Sequence, residues 1–214
     1  MRFVVILILC SFLATPAIAE SSKVKPLSFT KQEEADLERI ESYLNNLKSI
    51  SADFLQVDDY GGMLRGTIAM QRPGKMRVNY APPSKDFIIA DGDFVHIWND
   101  ELKEQTNVPQ GSSLAEFILR DPVKLSGDVV ITKFKRFPAK LEVSLKETED
   151  PAAGELTLVF EDQPLKLRQW KVLDPQGHTT GVNLENVREG IAFPKETFRF
   201  IAPNFGKNNK IKTP

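Results

Sequence analysis

The side chains that could carry acid–base or nucleophilic chemistry are few and widely separated in this sequence of 214 residues. His96 lies between two aliphatic residues of a strand-like run, and His178 lies in a turn much further along the chain. A hydrogen-bonded strand histidine and a solvated turn histidine explain these two residues better than a shared active site. Carboxylate pairs such as Asp58-Asp59 and Glu161-Asp162 fall at predicted strand ends, where turn hydrogen bonding accounts for them.

The remaining reactive residue types also point away from catalysis. The single cysteine, Cys10, lies in an apolar N-terminal run. The sequence contains no G-x-S-x-G elbow, no phosphate-binding glycine loop and no H-E-x-x-H zinc motif. Asp91-Gly92-Asp93 lacks the ligand spacing of a calcium loop. We therefore expect a protein that is not an enzyme, with no catalytic residues, no metal site and no cofactor.

Residues 1–19 have the composition of a secretory signal peptide. Arg2 is a positive n-region, Phe3–Leu13 is mostly apolar, and Ala17-Ile18-Ala19 is an A-x-A cleavage site. The apolar run is shorter than the ~20 residues that a membrane-spanning helix needs. We expect cleavage of this segment, which would leave residues 20–214 as one exported domain without a thiol, in the periplasm.

The overall charge gives little support for a nucleic-acid partner. The chain has 28 Lys and Arg against 29 Asp and Glu, and these are interleaved along most of its length, whereas phosphate binding requires a concentrated basic surface. The hydrophobic fraction of 41% excludes a disordered tail. The 14 Phe residues are an unusually large supply for an ordinary core.

One amphipathic helix is predicted near the start of the mature chain. Thr30 and Glu33 form a capping box, which places the helix over roughly Lys31 to Leu47. Asp36 is assigned to its polar face. The apolar face has helical spacing and consists of Leu37, Ile40, Leu44 and Leu47.

The rest of the chain alternates with a period of two, which is typical of strands. The turns between the predicted strands are too short for crossover helices, so the strands form an antiparallel meander. An open sheet of twelve strands is expected to curl towards a barrel. The twelve predicted strands are residues 52–60, 63–71, 75–80, 86–90, 94–99, 101–108, 129–134, 141–146, 155–160, 165–173, 179–187 and 197–201.

A short helix interrupts these strands. Leu114–Arg120 is largely apolar, begins at a second capping box of Ser113 and Glu116, and stops at Asp121-Pro122. A helix so short must dock on something. The two helices either plug the concave side of the sheet or leave a cavity for a ligand. Patterning alone favours a simple packed core.

Several motifs occur in a specific order across the first half of the mature chain. They are Phe54-Leu55-Gln56, Gly66-Thr67-Ile68, Gln71-Arg72-Pro73-Gly74-Lys75-Met76-Arg77-Val78-Asn79-Tyr80, Pro82-Pro83, Ile89-Ala90-Asp91-Gly92 and Ile97-Trp98-Asn99-Asp100-Glu101-Leu102, followed by Glu104-Gln105-Thr106. Each motif is weak alone, but together they resemble the outer-membrane lipoprotein carrier family, the LolA-like proteins. The likeness covers essentially the whole mature chain and is weaker beyond Asp121.

The resemblance implies an incomplete antiparallel β-barrel of about 11–12 strands, with a helical lid over a hydrophobic cavity. This implication favours the cavity over the plugged core. It also implies a monomer that takes acylated lipoproteins from an inner-membrane ABC lipoprotein-releasing complex to a LolB-like outer-membrane acceptor lipoprotein. The alternative function is a lipid-binding or sensing module of the same fold for a different amphiphile, such as a glycolipid.

Site residues follow from the same resemblance. Arg72 matches the arginine of the family's R-P motif and is expected to link the barrel to the lid through backbone carbonyls. We expect the short helix to be part of the lid, with Leu114, Phe117 and Ile118 facing the acyl chains. The expected acyl-chain cavity is lined by Phe54, Leu64, Ile68, Met70, Met76, Val78, Tyr80, Ile89 and Trp98.

Overall fold

A computed structural model of the chain describes residues 27–111 and 114–203. The predicted signal peptide and Ser113 of the second capping box therefore lie outside the described residues. The elements are α1 (Lys31–Asn46), β1 (Ser49–Asp58), β2 (Met63–Gln71), β3 (Lys75–Tyr80), β4 (Phe87–Asp91), β5 (Phe94–Asn99), β6 (Glu104–Pro109), the 3-10 helix η1 (Leu114–Leu119), β7 (Val129–Phe137), β8 (Lys140–Glu147), the 3-10 helix η2 (Pro151–Ala153), β9 (Glu155–Glu161), β10 (Lys166–Leu173), β11 (Thr179–Glu189) and the 3-10 helix η3 (Lys195–Phe198).

The eleven strands form one sheet in the order β6-β5-β4-β3-β2-β1-β11-β10-β9-β8-β7, and all neighbouring strands are antiparallel. β6 and β7 are the two edges and do not pair with each other, so the sheet is not closed. The predicted fold, a mainly β incomplete barrel, is confirmed. Within the described residues, no helix has the length and hydropathy needed to cross a membrane.

α1 begins where the sequence predicts. The Thr30 hydroxyl accepts a hydrogen bond from the Glu33 backbone N–H, and the Glu33 carboxylate accepts one from the Thr30 N–H. This capping box satisfies two donors that would otherwise lack partners at the helix N-terminus. Leu37, Ile40 and Leu44 are buried against the sheet.

The twelfth predicted strand, 197–201, is wrong. This region contains η3 and an irregular segment instead. Its alternating aromatic residues face the sheet without joining the strand ladder: Phe198 is buried, and the Phe200 ring stacks on His96 with 4.7 Å between centroids. The alternating aromatic residues belong to a segment that packs on the outer face of β3–β5. Their spacing has the same period of two as a strand, although the segment is not one.

Candidate functional site

One face of the sheet packs with α1 and η1 in a single apolar cluster, which we call the concave face. Because successive side chains of a strand point to opposite sides, membership of this face follows the strand register. In β2 and β3, Ile68 lies opposite Val78 and Met70 lies opposite Met76. Seven of the nine predicted cavity residues lie on this face: Phe54, Leu64, Ile68, Met70, Met76, Val78 and Tyr80.

The two other predicted cavity residues, Ile89 and Trp98, lie on the outer face. Ile89 is paired with Arg77 and His96, while its neighbours on β4 face the concave side. Both residues are nevertheless buried, at 1% and 4% exposure, on the face to which the C-terminal segment contributes Phe200. Since both faces of this part of the sheet are covered, apolar character alone could not distinguish them.

Burial of the concave face changes along the strands. Met70 is fully buried and Ile68 is 3% exposed, but Leu64, on the same face of β2, is 45% exposed. Ile97 on the concave side of β5 is 38% exposed. The exposed residues lie towards the β1–β2 and β5–β6 turns, which we call the open end. In the β1–β6 half of the sheet the concave face is therefore an apolar surface that is covered at one end only, whereas Leu145 and Leu156, at the same end of β8 and β9, are fully buried.

The covered end is filled by side chains of the two helices. Leu114, Phe117 and Ile118, the three predicted lid residues, are all buried in the same cluster as Leu44 of α1. The Glu116 carboxylate accepts a hydrogen bond from the Gly111 N–H at 2.9 Å, so it reaches back before the start of η1. The structure thus shows η1 docked into the concave face.

Arg72 joins both helices to the β2–β3 turn. Its Nε donates to the Ile118 carbonyl of η1 at 2.6 Å, and its Nη1 donates to the Leu44 carbonyl of α1. The nearby Gly74 N–H donates to the Leu119 carbonyl at 2.9 Å. Within the described residues, Arg72 forms no direct ion pair, and its Nη2 atom has no hydrogen-bond partner. Burial lowers the pKa of Arg72 to about 10, partly offset by Asp121, so the guanidinium is charged at neutral pH.

The first half of α1 is held by a different kind of contact. Asp36 is fully buried and accepts hydrogen bonds from Arg39 at 2.8 Å and from Arg136 of β7. Arg39 also donates to Asp162 at 2.7 Å, and Arg136 lies 3.7 Å from the same carboxylate. Burial alone would raise the pKa of Asp36, but hydrogen bonds from Arg136 and Arg39 hold it below its ordinary value.

The assignment of Asp36 to the polar face of α1 was wrong. One signal was available in the sequence, because Asp36 precedes Ile40 and Leu44 at i, i+4 spacing and so lies beside the buried stripe. Its partner Arg136, and Asp162, which pairs with Arg39 and Arg136, come from distant parts of the chain and could not be identified by spacing. We call these residues, Asp36, Arg39, Arg136 and Asp162, the ionic network.

The histidines and carboxylates occupy separate hydrogen-bonded positions. His96 lies 2.8 Å from an Asp91 carboxylate oxygen and 2.9 Å from the Asn107 side-chain oxygen. Burial opposes ionisation of Asp91, but hydrogen bonds from the Phe94 N–H and from His96 lower its pKa to about 2. His178 contacts Asp174 at 3.3 Å instead. The described residues include no cluster of three or more His, Cys, Asp or Glu suited to a metal ion.

Other concave residues were not predicted individually. Ile88, Ala90, Val95 and Ile97 complete the concave side of β4 and β5. In these short strands apolar residues occupy both faces, so the alternation carries no information about which face is concave. The far half of the sheet contributes a second apolar wall, formed by Leu141, Val143, Leu145, Leu156, Leu158 and Phe160.

The fold and this site define an incomplete antiparallel β-barrel whose apolar concave face is partly covered by two helices. Comparison with known sequences is consistent with this class. The family model described as outer membrane lipoprotein carrier protein LolA matches residues 45–201. Because the match covers most of the chain, this protein belongs to the LolA family.

Individual relatives are distant. An outer-membrane lipoprotein carrier protein of Pseudoalteromonas translucida is 25% identical over 209 residues, which is 92% of this chain and 91% of the relative. An uncharacterized protein of Rickettsia prowazekii is 23% identical over 167 residues, covering 78% and 77% of the two chains. The crystal structure of a LolA superfamily protein from Nitrosomonas europaea superposes with a TM-score of 0.46 at 9% identity, over 78% of this chain and 97% of that one.

Proposed function

We propose that this protein is a periplasmic carrier that binds the acyl chains of lipoproteins on its concave face. The observation that carries the proposal is the gradient of burial in the β1–β6 half of that face, from fully covered Met70 to half-exposed Leu64 of β2. An ordinary core would be covered along its whole length. Membership of the LolA family supports lipoproteins as the cargo.

The energetics of acyl chains explain why such a carrier is needed. Burial of each CH₂ group is worth ~0.8 kcal/mol, so exposing one sixteen-carbon chain to water costs on the order of 12 kcal/mol. A carrier must cover the chains and still release them. Met70 and Met76 on the concave face suit this role, because methionine adapts its shape to irregular contacts.

Loading requires the covered end to open, and we propose that η1 is the part that moves. Acyl chains would displace Phe117 and Ile118 from the concave face. The hydrogen bond from Arg72 to the Ile118 carbonyl, together with the one from Gly74 to Leu119, would then break. Arg72 acts as a latch in this scheme: its hydrogen bonds stabilise the closed state and are few enough for cargo binding to outweigh.

The route follows from the same proposal. Residues 1–19 would direct export and be removed, and the mature chain would act as a monomer in the periplasm. It would receive lipoproteins from an inner-membrane ABC complex and deliver them to a LolB-like acceptor in the outer membrane. Of the predicted cavity, Ile89 and Trp98 are excluded from cargo contact because they face the other side of the sheet.

Native mass spectrometry of the protein isolated from the periplasm tests the proposal. We expect a fraction of the protein to carry the mass of an intact lipoprotein, and fragmentation to release an acylated N-terminal peptide. A bound glycolipid or other free lipid in its place would support the alternative function. Protein that carries no amphiphile, even after incubation with a purified lipoprotein, would contradict both.

A further inference from the structure

A polar pair interrupts the apolar concave face near the open end. Gln56 follows Phe54 on the concave side of β1, and Tyr80 ends the concave side of β3. The Tyr80 hydroxyl donates a hydrogen bond to Gln56 Oε1 at 3.0 Å. Burial, with a contribution from Asp86, raises the pKa of Tyr80, so the phenol keeps its proton around neutral pH.

The pair is held in place by the strand between its members. Gly66 lies opposite both Phe54 and Tyr80, and a Cβ there would lie 2.7 Å from the Phe54 ring. The two aromatic rings therefore meet over Gly66 in an edge-to-face contact, with centroids 5.6 Å apart. This packing fixes the Tyr80 hydroxyl, which in turn orients the Gln56 amide.

The orientation leaves one donor available. Because Tyr80 occupies Gln56 Oε1, the Nε2 group is directed elsewhere, and within the described residues it has no hydrogen-bond partner. Gln56 is paired in register with Leu64, the half-exposed residue of the open end, whereas Ile68, further along the same face, is 3% exposed. The free amide donor thus lies where the apolar wall meets solvent.

We propose that Gln56 Nε2 donates a hydrogen bond to a carbonyl of the bound lipid, an ester or amide carbonyl at the end of an acyl chain. This inference rests on the proposed function. When a chain lies along the apolar wall, its carbonyl is the first polar group and must sit at the boundary of that wall. A carbonyl placed there without a hydrogen-bond donor would lose its hydrogen bond to water. The Gln56 amide replaces that bond, so the site favours lipids whose acyl chains end in a carbonyl.

The proposal assigns a chemical preference to the carrier. Acyl groups joined through esters or amides carry the required acceptor, whereas alkyl chains joined through ethers do not. One neutral hydrogen bond of this kind corresponds to about 3- to 10-fold in affinity. The preference should therefore be measurable but modest.

The test uses two synthetic lipopeptides that differ only in whether their two sixteen-carbon chains are joined to glycerol by esters or by ethers. Their dissociation constants are measured by displacement of a fluorescent fatty acid from the full mature protein. We expect the wild type to prefer the ester lipopeptide by about 3- to 10-fold. Gln56→Leu should remove this preference by weakening ester binding while leaving ether binding unchanged.

Gln105→Leu is the matched control, because Gln105 is exposed on β6 and pairs with Trp98, which faces the outer side. It should keep the full preference. Equal binding of both lipopeptides to the wild type, or a preference that survives in Gln56→Leu, would overturn the contact proposed here while leaving the carrier function intact. Failure of both lipopeptides to bind the wild type would contradict the carrier function itself.

Discussion

α1 and η1 both cover the concave face, and both bury large apolar side chains completely, yet they are fastened in different ways. α1 has sixteen residues, a capping box and a buried carboxylate in the ionic network. η1 has six residues, and its described backbone contacts with the β2–β3 turn are those made by Arg72 and Gly74. Equal burial therefore does not mean equal attachment.

The difference assigns a role to each element. Breaking the ionic network would leave buried charge without a partner, which opposes movement of the first half of α1. Lifting η1 would break a small number of hydrogen bonds and expose side chains that an acyl chain can replace. We therefore expect α1 to remain part of the barrel while η1 moves, with Arg72 at the junction between the fixed and the mobile element.

The largest expected effect is a difference in the free energy of unfolding between alanine variants of two fully buried residues, Leu44 of α1 and Phe117 of η1. Leu44→Ala should lower the free energy of unfolding by about 2–5 kcal/mol, the usual range for a core leucine. Phe117→Ala should cost less than about 2 kcal/mol despite the larger side chain, because η1 can open without global unfolding. Urea denaturation measures both. An equal or larger loss for Phe117→Ala would mean that η1 is ordinary core.

The ionic network should show the next largest effect. Asp36→Asn removes the carboxylate that Arg39 and Arg136 share, and we expect a loss of about 2 kcal/mol, reduced from the usual value because both arginines are partly exposed. Thermal or urea unfolding measures it. Glu38→Gln, at an exposed position of the same helix, should change stability by less than about 0.5 kcal/mol. Similar values for the two variants would mean that the ionic network does not fasten α1 to the barrel.

Arg72→Leu should change the free energy of unfolding by less than about 1 kcal/mol. The variant loses the hydrogen bonds of Arg72, but it also removes the cost of burying a charged guanidinium, and the two effects oppose each other. Amide hydrogen exchange within η1 should accelerate by about 10-fold or more, while exchange in α1 stays slow. Acceptance and release of lipoprotein should be impaired. Arg188→Leu, which removes an exposed arginine of β11, is the control. Unchanged exchange in η1 and unchanged transfer would argue against the latch.

The smallest effect is a dependence on pH. The pKa of Asp36 lies below its ordinary value of 3.8 in the folded protein, so its ionisation stabilises the fold above that pH. The contribution is lost as the pH falls through the lowered pKa. The stability difference between wild type and Asp36→Asn should therefore be constant near neutral pH and shrink below about pH 4. A difference that grew on acidification would contradict the assignment.

Local chemistry predicted a large part of this molecule. The capping box at Thr30 places the start of α1, and three strands, 63–71, 75–80 and 94–99, have the predicted bounds. These features depend on neighbouring residues only. The family resemblance predicted that Arg72 links the barrel to the lid through backbone carbonyls, which the spacing of residues alone would not have supplied. Its second bond, to the Leu44 carbonyl of α1, was not predicted.

The errors share one physical cause, which is coverage by distant chain segments. Ile89 and Trp98 are apolar because the C-terminal segment covers the outer face, and Asp36 can be buried because Arg136, from a distant strand, pairs with its carboxylate. Sequence periodicity reports that a residue is covered, but it does not report which element covers it. The same limit explains why the spacing of Phe198 and Phe200 wrongly predicted a strand over residues 197–201.

The central claim is that cargo lies on the concave face at the open end, and two positions of one strand test it directly. Ile97 and Phe94 of β5 are 38% and 45% exposed and point to opposite sides of the sheet. A photo-crosslinking amino acid is placed at each position, and the protein is irradiated in cells. We predict a crosslinked lipoprotein from position 97 and none from position 94. Crosslinking from position 94 alone, or equally from both, would contradict the account.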